Sequence, residues 1–196
     1  MSVVTLVSGG LDSTLMVVLA KEEGLPQHPL FVDYGQRSAS MEWKTCRTVV
    51  KGFGVEEPKR MCLAGFGELI PSGLTREALR LNEDAFLPGR NLLLLLAGAA
   101  YAYALNARAV SIGLLSEVTH LFPDQTGQFL ASTEKLLELA LGRRVVVVAP
   151  LMHLTKADVL EMVRARGIEG TYSCHSGRPN PCGSCISCLE IAEAVR

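Results

Sequence analysis

Short apolar stretches alternate along this chain with segments that have the spacing of amphipathic helices. A short apolar run between polar or glycine residues is typical of a strand covered on both faces. The pattern predicts strands at Val3–Val7, Leu30–Asp33, Lys59–Leu63, Ala109–Leu114 and Arg144–Ala149. It predicts helices at Ser13–Glu23, Ser40–Gly52, Asn91–Leu105, Gln128–Leu141 and Thr155–Arg166. This alternation predicts an α/β fold with a doubly wound, mostly parallel five-stranded sheet.

Two segments add detail to this outline. Thr155-Lys156-Ala157-Asp158 has the pattern of a capping box with Asp in the usual Glu position, and Gly167 is placed to end that helix. The stretch from Ala64 to Gly89 is longer than a normal connection. We expect it to be a functional flap or to contain a short helix.

The first predicted strand leads directly into a glycine pair and a helix start. The sequence there reads Ser8-Gly9-Gly10-Leu11-Asp12-Ser13-Thr14. Two adjacent glycines let the backbone approach an anion closely, and the amides of a first helical turn carry partial positive charge. The spacing fits neither a Walker A loop nor a dinucleotide GxGxxG turn. We interpret the stretch as a site for ATP phosphates, with a chance match as the weaker alternative.

Polar residues also follow other predicted strands. Because ligands of such sheets bind beyond the carboxyl ends of the strands, residues 8–13, 33–37 and 116–125 should converge on one crevice. Asp33 has a simpler alternative role as a cap of its own turn.

Length and charge limit the classes of partner. A chain of 196 residues suits one compact domain with a small appendage, and its net charge of −1 provides no global field for nucleic acid or anionic lipid. The apolar run Leu92–Leu105 is short for a bilayer span and is typical of a buried helix. With no signal-peptide pattern, we expect a cytoplasmic protein without nucleic-acid or membrane partners. The 48% apolar content is compatible with a homodimer but does not require one.

Four cysteines cluster near the carboxyl terminus. Cys174, Cys182, Cys185 and Cys188 form Cys-x7-Cys-x2-Cys-x2-Cys, a spacing that lets thiolates point at one ion and complete tetrahedral zinc. We predict a structural zinc site, with an iron–sulfur cluster as the main alternative and disulfides as a weaker one. His175 is adjacent and is a candidate replacement ligand. Residues 1–170 are then a nucleotide-binding α/β domain and residues 171–196 a metal-binding tail.

The order of these motifs resembles the 7-cyano-7-deazaguanine synthase family of the ATP pyrophosphatase-loop superfamily, whose fold is adenine nucleotide alpha-hydrolase-like. The resemblance is collinear over almost the whole chain. It rests on Ser8 to Thr14, Asp33-Tyr34-Gly35-Gln36-Arg37, Pro88-Gly89-Arg90-Asn91, Phe122-Pro123-Asp124, Pro150-Leu151, Thr155-Lys156 and the four cysteines. Each motif is weak alone, and their shared order is specific.

The resemblance implies an ATP-dependent carbon–nitrogen ligase of queuosine precursor synthesis. In that reaction 7-carboxy-7-deazaguanine attacks the α-phosphate of ATP, which gives an acyl adenylate and pyrophosphate. Ammonia then displaces AMP to give an amide, and a second ATP activates the amide oxygen so that its loss leaves the nitrile. Magnesium accompanies ATP, and the partners are small molecules.

The resemblance also implies roles for individual residues. Asp12, Lys156 and Arg90 would be catalytic, with Asp12 also a candidate contact for magnesium. The ATP site would contain Ser8, Gly9, Gly10, Leu11, Asp12, Ser13 and Thr14. The substrate site would contain Tyr34, Gln36, Arg37, Arg90, Asn91, Glu117, Phe122 and Asp124. The simpler alternatives are that Lys156 is a solvated side chain and that Arg90-Asn91 only starts a helix.

The chain departs from the family pattern in one loop. Family members carry Tyr-Pro-Asp-Cys-Arg, and here Gln125 and Thr126 replace the Cys-Arg pair. The acidic residue expected before that motif aligns with Val118, beside Glu117. His120 is also new, and we interpret it as a surface residue in preference to a proton-transfer group. A second hypothesis therefore stays open: an adenylating ligase that stops at an amide, with a protein amine as one candidate acceptor. A tRNA-modifying enzyme ranks below both, because the sequence shows no basic stripe.

Overall fold

The computed structural model describes residues 2–116 and 121–195. Its strands form one sheet of order β3-β2-β1-β4-β5, and every neighbouring pair is parallel. The strands are β1 (Val3–Leu6), β2 (Gln27–Asp33), β3 (Lys59–Cys62), β4 (Ala109–Ser111) and β5 (Val146–Val148). The predicted five-stranded parallel sheet is confirmed. β2 begins before the predicted Leu30, because residues 27–29 pair with residues 3–5 of β1.

Seven helices connect and flank the strands in the described ranges. They are α1 (Leu11–Glu22), α2 (Ala39–Gly52), α3 (Gly65–Leu69), α4 (Arg90–Ala104), α5 (Gly127–Leu141), α6 (Lys156–Ala165) and α7 (Ile186–Ala194). The capping box predicted for α6 is present, since Thr155 accepts from the Asp158 amide and Asp158 accepts from the Thr155 amide. The sequence pattern did not predict α7, and it left the short helix α3 without a position.

Alternate residues of the strands pack on opposite faces of the sheet. Leu30 and Val32 belong to a core with Val4, Leu6 and residues of α4 and α5. Phe31, which lies between them on β2, packs instead with Val7 and with residues of α1 and α2. A parallel sheet covered on both faces needs apolar residues at consecutive positions, which is why these strands read as apolar runs.

The apolar helix α4 lies against the sheet. Leu95, Ala99 and Ala102 are fully buried on its inner side. Among the described residues, no helix has the length and apolarity that a membrane crossing requires. The interpretation of Leu92–Leu105 as a buried helix agrees with this packing.

The long connection after β3 is organised around a serine. Ser72 Oγ donates to the carbonyl oxygens of Asp84 and Ala85 at 3.1 and 3.2 Å, and the Gly73 amide donates to the Asp84 carbonyl. These bonds close a compact loop whose Leu74 and Ala85 are buried. The loop packs against Tyr34, and its Leu74 and Ala85 form one side of a crevice at the carboxyl ends of the strands.

Candidate active site

A cavity of about 270 Å³ opens at the carboxyl ends of β1, β2 and β4. The strand order changes direction between β1 and β4, and parallel α/β sheets bind ligands at such a switch point. The wall of the cavity is formed by the glycine-rich turn, the loop after β2, the start of α4 and part of the cysteine-rich tail. The polar lining residues are Ser8, Asp12, Ser13, Tyr34, Gln36, Glu42, Arg90, Asn91, Gln125, Tyr172, Ser173, His175, Ser187 and Glu190.

The glycine-rich turn is held by a small set of hydrogen bonds. Ser13 Oγ accepts from the Ser8 amide at 3.2 Å and donates to the Gly10 carbonyl at 3.2 Å. From the tail, Ser173 Oγ accepts from the Leu11 amide at 3.1 Å, and the Tyr172 amide donates to the Gly9 carbonyl. These bonds present the N-terminal turn of α1 to the cavity, where its dipole favours an anion.

Gly9 cannot be replaced in this turn without distortion. Its φ is +78°, in the left-handed region that L side chains rarely adopt. A Cβ atom there would lie 2.6 Å from the backbone nitrogen of Cys46 on α2. The first glycine of the motif thus brings the turn and α2 into contact.

Asp12 and Lys156 form an ion pair at the edge of the cavity. Lys156 Nζ donates to Asp12 Oδ1 at 2.8 Å and to Oδ2 at 2.7 Å, and its side chain is only 11% exposed. The capping box at Thr155 fixes the start of α6 and so places Lys156 in its first turn. Glu190 of α7 contributes a second carboxylate 3.8 Å from Lys156 Nζ.

A second charged group lies across the same cavity. Arg90, the first residue of α4, lines the cavity together with Tyr34, close enough for its charge to act on the Tyr34 phenol. Burial raises the pKa of Tyr34 to about 12, although the Arg90 charge acts in the opposite direction. Burial also raises the pKa of Glu42, whose carboxylate accepts from Ser38 Oγ at 2.6 Å and from Gln36 Nε2 at 3.0 Å.

The loop that departs from the family pattern has its own local bonds. Gln125 Oε1 accepts from the amides of Leu121 and Phe122, each at 2.9 Å, and Thr126 caps α5 by accepting from the Phe129 amide. Asn91 Nδ2 donates to the Asp124 carbonyl at 2.9 Å, which ties this loop to α4. The two replacement residues therefore stabilise the backbone around the cavity.

The four cysteine sulfur atoms all lie within 4.8 Å of one another, as a single-ion site requires. Burial opposes ionisation of Cys182, yet hydrogen bonds from Ser184 and the Cys185 amide lower its pKa to about 6. Burial raises the pKa of Cys185 to about 12, which the amides of His175 and Cys188 only partly offset. Donors aimed at sulfur are typical of thiolate ligands, so the residues present fit a bound metal.

His175 lies beside this cluster and faces the cavity. Its Nδ1 atom is buried and has no hydrogen-bond partner among the described residues. Burial, together with the nearby Arg90 and Lys156 charges, lowers the pKa of His175 to about 4, so the ring is neutral near pH 7. Its imidazole lies outside the sulfur cluster, which the four cysteines complete without it.

The structure brings together most of the residues predicted from the sequence. Nine of them line the cavity: Ser8, Gly10, Asp12, Ser13, Tyr34, Gln36, Arg90, Asn91 and Phe122. Lys156 lines an adjoining cavity. Gly9, Leu11, Thr14, Arg37 and Asp124 are not among the residues that line these two cavities. Glu117, Val118 and His120 lie outside the described residues.

The side chains of Arg37 and Asp33 make contacts within the fold. Arg37 Nη1 donates to the Gly73 carbonyl at 3.3 Å, so its side chain contacts the long loop after β3. Asp33 accepts from the Gly35 amide at 3.0 Å and pairs with Arg60 at 2.5 Å. Asp33 thus caps its own turn, in agreement with the simpler alternative.

Sequence reasoning missed Glu42 and Glu190. Glu42 lies in the first turn of the helix that follows β2, so a survey of helix starts after strands would have found it. Glu190 had no such signal, because α7 itself was not predicted. Both carboxylates line the cavity because of how α2 and α7 pack in the fold, and neither residue belongs to one of the sequence motifs.

The sheet order and the glycine-rich turn before α1 define an α/β protein of the adenine nucleotide alpha-hydrolase-like class. Solved structures of low sequence identity share this fold. The U34-tRNA thiolase NcsA from Methanococcus maripaludis, with its [4Fe-4S] cluster, has a TM-score of 0.55 and 15% identity over 99% of this chain and 64% of its own. The NMN synthetase of Francisella tularensis has a TM-score of 0.51 and 16% identity over 92% and 69%.

The chain belongs to the family of the queuosine biosynthesis protein QueC, whose family model matches residues 2–196. It is 34% identical to the 7-cyano-7-deazaguanine synthase of Methanothermobacter thermautotrophicus, over 99% of this chain and 94% of that relative. It is 33% identical to the synthase of the same name from Azoarcus sp., over 94% of this chain and 88% of the relative. The expected family is confirmed.

Proposed function

We propose that this chain converts 7-carboxy-7-deazaguanine and ammonia into 7-cyano-7-deazaguanine with two molecules of ATP. The observation that carries the proposal is the Lys156–Asp12 ion pair beside the glycine-rich turn. That arrangement sets one cation and one carboxylate at the start of α1, where backbone amides favour phosphate. Adenylyl transfer needs this combination of positioning and charge neutralisation.

The charged side chains have distinct tasks in the proposed reaction. Asp12 would hold the magnesium that accompanies ATP, and that ion would neutralise phosphate charge. Lys156, released from Asp12, contacts the phosphates near the reacting centre. Arg90 lies across the cavity and orients the substrate carboxylate or the leaving AMP phosphate.

The walls of the cavity support binding of a flat ring. Tyr34 and Phe122 supply aromatic surface, and Gln36 and Glu42 supply hydrogen-bonding groups at one end. A guanine-like ring offers donors at N1 and its exocyclic amine, which a carboxylate accepts well. The small-molecule acid and ammonia are the proposed partners.

The cysteine cluster fits a structural zinc ion held by Cys174, Cys182, Cys185 and Cys188. Zinc with four thiolates has no open position, so in this proposal it stabilises the tail and takes no part in the reaction. Through Tyr172 and Ser173 the tail contacts the glycine-rich turn, so the ion supports the active site indirectly. An iron–sulfur cluster is the alternative, and metal analysis with an absorption spectrum distinguishes the two.

A related ligase that stops at the amide is the second candidate. The observation that favours it is the use of Gln125 and Thr126 as local caps, where the family motif has Cys-Arg. Without that arginine the loop supplies one fewer cation for a second activation step. The amide would then be the final product.

One reaction mixture separates these candidates. Purified protein is incubated with ATP, magnesium, ammonium and 7-carboxy-7-deazaguanine, and products are followed by mass spectrometry alongside AMP. The proposal expects nitrile with two AMP per product, whereas amide with one AMP supports the second candidate. AMP formation that depends on added tRNA would contradict both.

A further inference from the structure

Glu190 is a half-buried carboxylate that neither the motifs nor the proposed mechanism uses. Its side chain is 38% exposed and lies on α7, the helix that follows the cysteine cluster. Glu190 lines the 270 Å³ cavity and also an adjoining cavity of about 570 Å³. Asp12 lines both cavities as well, so the two carboxylates stand where the cavities meet.

Lys156 is the cation that these two carboxylates share. Its Nζ lies 2.7 Å from Asp12 and 3.8 Å from Glu190. In the proposed reaction the Asp12 carboxylate would bind magnesium, and the Lys156 ammonium group would move toward the ATP phosphates. Glu190 would then lose the ion-pair partner that it has among the described residues, and an unpaired carboxylate partly removed from water is costly.

The reaction itself brings a suitable cation to this place. Nitrogen nucleophiles with ordinary amine pKa values arrive at neutral pH as ammonium or primary ammonium ions. We infer that Glu190 binds the nitrogen donor in this cationic form at the junction of the two cavities. The bound donor then loses one proton to solvent water, and the lone pair of the neutral amine attacks the acyl adenylate as AMP leaves. The inference rests on the proposed function, because only an amide-forming reaction brings such a donor to Asp12 and Lys156.

The adjoining cavity provides an approach that does not cross the glycine-rich turn. Thr155, Lys156 and Leu189 contribute to its wall, and Leu189 is itself 46% exposed. An ammonium ion needs only about the volume of one water molecule, roughly 30 Å³. The cavity therefore has room for ammonium and for a primary ammonium group on a longer chain.

The test compares a cationic with an uncharged nitrogen donor. Hydroxylamine is largely uncharged near pH 7 and traps acyl adenylates as hydroxamates, so it does not need a carboxylate partner. With Glu190→Gln we expect the KM for ammonium to rise about tenfold or more, as the loss of a charged hydrogen bond predicts. Hydroxamate formation should stay within about twofold of wild type.

Two variants serve as controls. Glu161→Gln removes an exposed carboxylate of α6 that lines neither cavity and should leave the KM for ammonium unchanged. Glu190→Asp keeps the charge and should restore part of the ammonium affinity, which a purely structural role would not predict. It also keeps the test valid if Glu190→Gln fails to fold.

The source of the nitrogen is distinguished by the products. Parallel reactions with ammonium and with N-acetyl-lysine amide yield compounds of different mass, and a rise in KM for either one through Glu190→Gln supports the inference. Equal effects of Glu190→Gln on the reactions with hydroxylamine and ammonium, or no effect on either reaction, overturn the inference. In that case AMP formation by the wild-type protein still upholds the proposed function. Wild-type protein that forms no AMP with any donor overturns both.

Discussion

Lys156 Nζ contacts both carboxylate oxygens of Asp12, although the two residues stand 144 positions apart in the chain. The contact joins the first turn of α1 to the first turn of α6. Two helix starts, each with a partial positive charge, therefore meet at one ion pair beside the cavity. This pairing is the structural basis of the proposed adenylation.

Replacement of Lys156 by Met should abolish most of the activity. The variant keeps the length of the side chain and removes the charge, so we expect AMP formation to fall about 100-fold or more. The measurement is AMP release with saturating ATP and acid. Lys135→Met on α5, where the lysine is exposed, is the matched control. Activity of Lys156→Met within about threefold of wild type would contradict a role in charge neutralisation.

Replacement of Gly9 by Ala should destabilise the fold for two separable reasons. The left-handed φ costs about 1–2 kcal/mol for any residue with a Cβ, and the contact with the Cys46 backbone adds to this. Gly24→Ala is the matched control, since Gly24 has a φ of +66° but no atom within 4 Å of its Cβ position. Urea unfolding should show a larger loss for Gly9→Ala, and equal losses would reject the close contact.

The alkaline stability of the fold should depend on Tyr34. Burial raises the pKa of Tyr34 to about 12 from an ordinary value of 10.0, so the folded state holds the phenol proton more tightly than the unfolded state. This contribution is fully present below pH 10 and is lost as the pH rises toward 12. A difference of this size between the folded and unfolded pKa values corresponds to roughly 2–3 kcal/mol of unfolding free energy.

Unfolding free energies at about pH 9 and about pH 11 measure this effect. Tyr34→Phe removes the ionisable group and should lose less stability between the two conditions than wild type does. Tyr103→Phe changes a half-exposed ring and should behave like wild type. An unchanged pH dependence in Tyr34→Phe would show that other groups govern the alkaline transition.

Loss of one cysteine ligand should affect metal content and stability together. Cys185 is fully buried, and Cys185→Ser should release the bound metal and lower the Tm by roughly 5 °C or more. Elemental analysis and thermal unfolding are the measurements. Cys62→Ser, at an exposed free cysteine, should change neither property. Wild-type metal content in Cys185→Ser would exclude this residue as a ligand.

Local signals in the sequence were sufficient for most of the fold. The apolar runs predicted all five strands, because a doubly covered parallel sheet requires consecutive apolar residues. The Thr155 capping box predicted the start of α6, since its bonds are local to one helical turn. The loop around Ser72 was not predicted, because bonds between residues twelve and thirteen positions apart leave no periodic pattern.

The candidate site was predictable only where a motif carried it. The glycine-rich turn and the cysteine cluster each have a characteristic spacing, and both lie where expected. Glu190 and Glu42 belong to no motif that the sequence revealed. They reach the cavity because α7 packs on α6 and because α2 follows β2, which are facts of tertiary packing.

Tyr172 and Ser173 hold the glycine-rich turn through hydrogen bonds, and the next residue in the chain is Cys174. No spacer separates the sulfur cluster from the hydrogen bonds that shape the turn. With a metal ion in the cluster, as proposed, an oxidant or chelator that removes the ion would therefore weaken the proposed nucleotide binding at concentrations that leave the sheet folded. Metal loading and catalytic competence should rise and fall together in preparations of this enzyme.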